Sequence, residues 1–165
     1  MDPAAQRPHM PGYGVLGPTE GSGLLPWVWA RDRIARSHDY WLATVWPDGR
    51  PHVTPVWGVW HDDALWFSCS RRSRKARNLA ANPAVVATTD DPAEPVVVEG
   101  RARLVADRAA ITAFAGLADA KYGTSYGVEF YGDPANACIR IDVAAAFGLT
   151  GEDFTGSPTR WTLEP

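Results

Sequence analysis

The sequence predicts a mainly β protein of the α+β class, a closed or partly closed β-barrel of six to seven antiparallel strands with flanking helices. Short segments rich in β-branched and aromatic residues, bounded by Gly, Pro, Asp and Asn, follow one another through most of the chain. The few segments with helical spacing are separated in sequence from the runs of strands. A length of 165 residues with 45% hydrophobic residues fits one globular domain. We expect this domain over residues 24–165, after a flexible Pro- and Gly-rich arm over residues 1–23.

The first predicted helix spans residues 24–37. Trp27, Ala30 and Ile34 recur at helical spacing and would form one apolar face. Pro26 lies near the start of this segment, where a missing N–H removes no hydrogen bond from a helix. The pattern therefore predicts a helix that packs against the strands that follow it.

A hairpin is predicted next. It joins a strand over residues 40–46 to a long strand over residues 51–60 through the turn 47–50, which contains Asp-Gly. Pro55 has no N–H to donate to a neighbouring strand, so we expect it at a sheet edge or a bulge. A third strand over residues 64–70 completes an antiparallel meander.

The later elements are strands, one helix and one long loop. Gly100 marks the expected bend of a long strand, and Asp107 is a predicted helix N-cap. Trp161 indicates that the C-terminal tail docks rather than frays. The predicted order is a strand over 84–89, a strand over 95–105, a helix over 108–121, a functional or mobile loop over 122–136, a strand over 138–143 and a short strand around 147–149.

Composition excludes several classes of protein. With 16 Lys+Arg against 19 Asp+Glu, the net charge of −3 argues against a nucleic-acid binder. The sequence has no apolar run near 18 residues and no signal-peptide stretch at its start, so we expect a cytoplasmic protein with no membrane partner. Cys69 and Cys138 are too few for a disulfide framework, and no Cys/His spacing predicts a metal site.

The strongest local signal is the basic segment, residues 71–77, which holds five cations in seven positions. It follows the third predicted strand and leads into a short predicted helix that Asn82-Pro83 ends. Free backbone N–H groups, the helix dipole and the side-chain charges would together favour a phosphate at this helix start. The alternative interpretation is a solvated basic helix face, because charge runs are common on surfaces.

The order of several motifs resembles the pyridoxamine 5′-phosphate oxidase-like split β-barrel superfamily, whose fold is FMN-binding-like. The resemblance is greatest to its actinobacterial flavin- and deazaflavin-dependent oxidoreductases and runs from about Tyr40 to Leu149. The motifs that carry it are, in order, Asp-Gly-Arg-Pro-His at 48–52, Pro-Val-Trp at 55–57, Trp-Phe-Ser at 66–68, Ser-Arg-Lys-Ala-Arg-Asn-Leu-Ala-Ala-Asn-Pro at 73–83 and Val-Val-Glu-Gly at 97–100.

This resemblance implies a homodimer with two cofactor sites at the subunit interface. The cofactor phosphate would lie against Ser73, Lys75 and Asn78, with Ser70, Arg72, Arg74 and Arg77 as further candidates. The cofactor ring would lie along the second predicted strand, and the partner subunit would contribute late residues. The positions for these two roles are Val53, Thr54, Pro55, Val56 and Trp57 for the ring, and Phe147, Arg160 and Trp161 from the partner.

The resemblance also implies an oxidoreductase that uses coenzyme F420 to transfer a hydride to a small organic acceptor, such as an enone, a quinone or an imine-like group. Vitamin B6 oxidation is not expected, because the Arg-x-Val-Leu-Leu-Lys pattern of pyridoxamine phosphate oxidases is replaced here by residues 52–58. The alternatives are an FMN- or FAD-dependent oxidase or reductase, and a non-catalytic flavin- or haem-binding protein. His52 is the one weak candidate for a catalytic proton donor.

Overall fold

The computed structural model describes residues 2–163, which form eight strands and four α-helices. A 3-10 turn at Gly151–Asp153 precedes the last strand. The strands are β1 Ala4–Gln6, β2 Asp39–Val45, β3 Pro51–His61, β4 Ala64–Ser70, β5 Ala84–Thr89, β6 Val96–Leu104, β7 Asn136–Gly148 and β8 Thr159–Thr162; the helices are α1 Trp27–Arg36, α2 Arg74–Ala81, α3 Arg108–Tyr122 and α4 Gly127–Tyr131.

Six of these strands close into one antiparallel barrel in the order β7-β4-β3-β2-β5-β6, with β6 returning to β7. This closure confirms the predicted barrel. A register shift between Glu99 and Gly100 bends β6 at the predicted position. A Cβ at Gly100 would lie 2.2 Å from the carbonyl oxygen of Asp142, so only glycine fits this close approach of two strands.

The core has two layers because β4 is buried on both faces. Leu65 and Phe67 point into the barrel, where they join Trp161 and the apolar face of α1. Trp66 points outward and packs against Phe114 of α3. The barrel interior is therefore one cluster, and the layer between the barrel wall and α3–α4 is a second.

The N-terminal arm is docked, which corrects the expectation that residues 1–23 form a flexible arm. Among the described residues of this arm, β1 pairs with β8. The guanidinium of Arg7 donates to the carbonyl oxygens of Gly17, Gly156 and Pro158 at 2.8 Å. A Pro- and Gly-rich segment forms few regular backbone hydrogen bonds, so its carbonyl oxygens need other donors. The five N–H donors of one arginine side chain can bond several of these oxygens at once.

Two other boundaries differ from the sequence expectation. β7 is one continuous strand through Gly148, because β6 and β8 pair with the stretch where a break was predicted. The predicted loop 122–136 contains α4, whose start is fixed by Asp119: its carboxylate accepts from the backbone N–H groups of Tyr126 and Gly127. The predicted docking of the tail is confirmed, since the side chain of Trp161 is fully buried. No helix among residues 2–163 is long and apolar enough to cross a membrane.

Candidate active site

β3 and β4 pair over only part of their lengths. Their register runs from Gly58 opposite Phe67 to His61 opposite Ala64. On the far side of this point, residues 51–57 of β3 pair only with β2, and residues 68–70 of β4 pair only with β7. We call this divergence the β3–β4 fork. Because backbone groups on an unpaired strand edge need partners, the free edge of β3 is a place for a ligand to bond.

The closed end of the fork is fixed by α3. The hydroxyl of Tyr122 accepts from the N–H of Gly58 at 2.8 Å and lies 2.9 Å from its carbonyl oxygen, which also accepts from Lys121 Nζ at 2.8 Å. The ring of Tyr122 lies parallel to that of Trp57, with centroids 4.4 Å apart. A Cβ at Gly58 would crowd the ring of Tyr40 at 3.1 Å. The ring of Trp57 and the backbone of Gly58 thus hold α3 on β3.

The open end of the fork carries the start of α2. Ser73 is its N-cap, and the Ser73 hydroxyl accepts from the N–H of Ala76 at 3.3 Å. The N–H groups of the first helical turn have no acceptor inside a helix, so those of Arg74 and Lys75 are open to an anion. The strand β4 feeds this helix through Ser70, whose side chain accepts from the N–H of Arg72.

The basic segment divides between two sides of the molecule. On the hairpin side, the guanidinium of Arg74 lies 3.8 Å from the ring centre of Trp46, and Arg50 lies over the same ring. On the other side, Arg71 Nε donates to the carbonyl of Asn136 at the start of β7. The cations of residues 71–77 therefore do not form one site, and only some of them border the fork.

An aromatic pocket of about 230 Å³ lies beside the fork, between the barrel wall and α3–α4. None of the described residues that line it is charged. Tyr126 and Phe130 stack at its outer side with centroids 4.6 Å apart, and both are about half exposed. Polar groups come from β4 and β7. The lining consists of Trp57, Gly58, Ser68, Cys69, Ser70, Phe114, Ala118, Tyr122, Tyr126, Phe130, Tyr131 and Asn136.

Burial shifts the pKa of several groups at this pocket. It raises the pKa of Tyr122 to about 12, so the hydroxyl is protonated at neutral pH. It lowers the pKa of Lys121 to about 8, against the opposing effect of Asp90 and Asp39. Burial also raises the pKa of the Cys69 thiol, although Ser73 and the charge of Lys75 act in the other direction. Cys69 is therefore not set up as a thiolate.

The predicted ring-binding strand has one exposed face and one more buried face. The side chains of Val53, Pro55 and Trp57 are exposed on the outer wall of the barrel. Val56 is buried in the barrel core, and Thr54 is half-buried with its hydroxyl donating to the carbonyl of Pro55. Among residues 53–57, only Val56 is thus closed to a ligand.

Two predicted site residues are inside the molecule, which corrects their assignment as direct cofactor contacts. Asn78 is fully buried, and its amide donates to the hydroxyl of Thr44 at 3.0 Å, so it fastens α2 to β2. Trp161 is fully buried against Trp27 and Trp29 in the barrel. In both cases the side chain points to the inner side of its element and cannot reach the surface.

The other late residues and His52 lie away from the aromatic pocket. Arg160 is paired with Glu99 through two hydrogen bonds of 2.9 and 3.0 Å, and it neighbours Phe147 across the β7–β8 pair. His52 lies five residues along β3 from Trp57, which at about 3.3 Å per residue is roughly 16 Å. Its ring contacts Trp46 at the hairpin end, so it borders the basic segment instead of the aromatic pocket.

The helical part of the pocket was not singled out from the sequence. Tyr122, Tyr126 and Phe130 lie in the segment 122–136, for which the sequence predicts a loop. The signal that was available is the density of Tyr and Gly over residues 122–132, since aromatic side chains supply ligand-stacking surface. This density alone does not locate the pocket, because the pocket's place depends on the docking of α3 on Gly58.

These features define a class of protein: an antiparallel split barrel with a phosphate-compatible helix start at one end of a strand fork and an aromatic pocket at the other. The sequence profile of pyridoxamine 5′-phosphate oxidase matches residues 30–149. The chain therefore belongs to the pyridoxamine 5′-phosphate oxidase family. Among curated proteins, no sequence match was found.

Solved structures with similar folds belong to proteins that are named for different functions. An F420 reductase is 28% identical over 70% of this chain and 94% of its own, with a TM-score of 0.59. A conserved hypothetical protein from Mycobacterium tuberculosis is 23% identical over 84% of this chain and 85% of its own, with a TM-score of 0.67. A haem-binding protein from Mycobacterium smegmatis is 19% identical over 78% and 59%, with a TM-score of 0.61. The fold is thus shared by a protein named as a reductase and by one named as haem-binding.

Proposed function

We propose that this protein is an oxidoreductase that uses coenzyme F420 to transfer a hydride to a small, uncharged organic acceptor. The observation that carries the proposal is the β3–β4 fork, which joins a helix start rich in anion donors to a pocket lined by aromatic rings. A ring system with a phosphate-bearing tail needs both kinds of surface in one groove.

The residues at the fork fit such a coenzyme. The first-turn N–H groups of α2 and the ammonium of Lys75 supply donors for a phosphate, and charge-assisted bonds of this kind are the strong ones. The free backbone edge of β3 supplies groups for the polar edge of a ring, and the exposed side chains of Val53, Pro55 and Trp57 supply a flat apolar wall. When bound, the reduced coenzyme supplies the hydride, and the protein supplies position and electrostatics.

The choice of a deazaflavin over FMN or FAD rests on similarity. The F420 reductase named above is 28% identical to this chain, and the match covers 94% of the reductase. The basic segment agrees with it, since coenzyme F420 carries a phosphodiester and an anionic tail, and Arg72, Arg74 and Lys75 lie at or beside the open end of the fork. The structural likeness to a haem-binding protein at 19% identity shows the fold alone.

The aromatic pocket is the place for the acceptor. Its walls are the stacked rings of Trp57 and Tyr122 and of Tyr126 and Phe130. Uncharged walls favour an uncharged planar acceptor such as a quinone or a conjugated enone, because burying an unpaired charge is costly. Ser68 and Ser70 are the polar groups that β4 supplies to orient it.

A homodimer is part of the proposal. The outer wall formed by β3, β2 and β5 exposes large apolar side chains: Trp41, Val45, Val53 and Val86 are 36–56% exposed. A contiguous apolar patch of this kind is typical of a protein interface. A second copy placed there would close the open side of the fork, and Phe147 and Arg160 remain the proposed contributions of the partner.

The proposal is tested by titrating the purified protein with coenzyme F420, FMN, FAD and haem in parallel. We expect a change in the absorbance of coenzyme F420 and a raised melting temperature with it, and oxidation of the reduced coenzyme when a quinone is added. A yellow protein as purified, with flavin absorbance near one per chain, would support the FMN-dependent alternative. Tight binding without turnover over a broad acceptor panel would support a binding protein, and indifference to all four compounds would contradict the cofactor site.

A further inference from the structure

A second cavity, of about 220 Å³, lies at one mouth of the barrel, where α2 meets the end of β6 and the start of β7. It shares no lining residue with the aromatic pocket. The mouths of β-barrels are frequent places for ligands, because strand ends leave a concave surface there. Nothing in the proposed coenzyme chemistry uses this cavity.

The floor of this barrel-mouth cavity is apolar. Leu79 of α2 and Ala137 and Ile139 of β7 form it, and all three belong to the barrel core. Leu104 lies opposite Ile139 in the β6–β7 register and is 49% exposed at the rim. A ligand with an apolar body would remove this surface from water, which is the main favourable contribution to binding in such a place.

The rim of the same cavity is basic. Arg71, Arg77 and Arg103 line it from three different elements. Arg71 is held by a bond from Nε to the carbonyl of Asn136, which leaves its terminal nitrogens available. Arg103 is paired with Asp142 through Nε, so its charge is already compensated on the outer face of the barrel. Arg77 has no side-chain hydrogen bond or ion pair among the described residues.

Among residues 2–163, no carboxylate lines this cavity. The nearest one to its rim cations is Asp142, which is shared between Arg103 at 2.9 Å and Arg140 at 2.7 Å. The rim therefore keeps a positive excess over an apolar floor. A planar guanidinium with parallel N–H groups matches a carboxylate in particular.

We propose that the barrel-mouth cavity binds a small organic carboxylate with a compact apolar body, of the chemical type of benzoate. The carboxylate meets the arginines of the rim and the apolar body covers Leu79, Ile139 and Leu104. The cavity is smaller than the roughly 300 Å³ at which pockets begin to hold drug-sized ligands, so one ring is a suitable size. This site is independent of the coenzyme site, and its proposal does not rest on the proposed oxidoreductase function.

The test is a calorimetric and NMR titration of the full chain with benzoate, with its neutral analogue benzamide and with inorganic sulfate. We expect benzoate to bind and to shift the amide signals of α2 and of the start of β7, while benzamide and sulfate bind at least tenfold more weakly. The double variant Arg71→Gln/Arg77→Gln should weaken benzoate binding at least tenfold. Arg31→Gln, an exposed arginine of α1, is the matched control and should leave the affinity unchanged.

A second variant distinguishes loss of the binding site from misfolding. Ala80→Trp adds a bulky ring at an exposed position of α2 that lines the cavity, and it should block benzoate without loss of the folded state. Equal binding of benzamide, equal binding of sulfate, or unchanged benzoate affinity in both variants would overturn the proposal. Competition between benzoate and coenzyme F420 would also overturn it, because the cavity would then belong to the coenzyme site.

Discussion

Tyr122 lies parallel to Trp57 at a centroid distance of 4.4 Å and an angle of 2°, while its hydroxyl is bonded to the backbone of the next residue, Gly58. This single contact joins α3 to β3 at the point where β3 leaves β4. It therefore sets both the outer wall of the fork and one wall of the aromatic pocket. The helix and the strand are 64 residues apart in sequence at this contact.

Removing the hydroxyl of Tyr122 tests this contact. Tyr122→Phe keeps the ring but leaves the N–H of Gly58 without its partner, so the free energy of unfolding should fall by about 1–3 kcal/mol. Chemical denaturation measures the change. Tyr126→Phe is the matched control, since that residue is 51% exposed, and its effect should stay within about 0.5 kcal/mol. Equal effects in the two variants would contradict the role given to Tyr122.

Lys121 predicts a pH dependence of stability. Its pKa is lowered to about 8 in the folded chain from an ordinary value of 10.5, so between these values the unfolded chain binds more protons and stability rises with pH. The pKa of Tyr122 is raised to about 12, so above pH 10 the folded chain binds more protons at this group and stability falls. The Lys121 contribution should therefore be visible between pH 8 and 10.

The variant Lys121→Met should flatten the rise in unfolding free energy between pH 8 and 10. Lys75→Met is the matched control, because it removes the other lysine of the chain and should leave the slope in place. Denaturant titrations at half-unit pH steps measure both. A slope that persists in Lys121→Met would assign the titration to a different group.

Arg7 predicts how the N-terminal arm is held. Arg7→Gln removes a charge that donates to carbonyls of both the arm and the segment before β8, so docking should weaken by about 1.5–3 kcal/mol. Native-state hydrogen exchange reports this through the N–H of Leu16, which donates to the carbonyl of Thr155. Its exchange should accelerate in Arg7→Gln and remain as in the wild type in Arg31→Gln. Unchanged exchange in both would show that the arm is held by other contacts.

The exposed wall of β2, β3 and β5 predicts the assembly state. Trp41→Glu places a charge in the middle of this apolar wall and should shift the protein from dimer to monomer, because an unpaired charge in an interface is costly. Sedimentation velocity measures the shift. Leu117→Glu, on the exposed side of α3, is the control and should remain dimeric. A wild-type protein that is monomeric at high concentration would contradict the dimer.

The sequence predicted the barrel because strand signals are local. The Asp-Gly turn, the alternation on β3 and the bend at Gly100 each depend on a few neighbouring residues. The inward positions of Asn78 and Trp161 were not predicted, because they follow from how α2 and β8 rotate onto the barrel. Polar and aromatic side chains fit either face of an element, so tertiary packing decides.

Long-range polar contacts were also beyond the sequence. Arg7 reaches Pro158 across 151 residues, and the docked arm depends on that contact. A Pro- and Gly-rich segment gives no periodicity from which docking could be inferred. Within the candidate site, the phosphate position proposed at the start of α2 follows from local charge, whereas the aromatic pocket depends on α3 meeting β3.

The measurement that tests the central claim most directly is the dissociation constant of coenzyme F420 for the wild-type protein and for Lys75→Ala. Loss of a charge-assisted bond of about 1.5–3 kcal/mol should raise the constant by roughly 10- to 150-fold. The melting temperature without coenzyme should stay as in the wild type, since Lys75 lies in the first turn of α2 and is not among its buried residues. Arg31→Ala should bind as the wild type does. An unchanged dissociation constant in Lys75→Ala would contradict the account, because the coenzyme phosphate would then lie away from the β3–β4 fork.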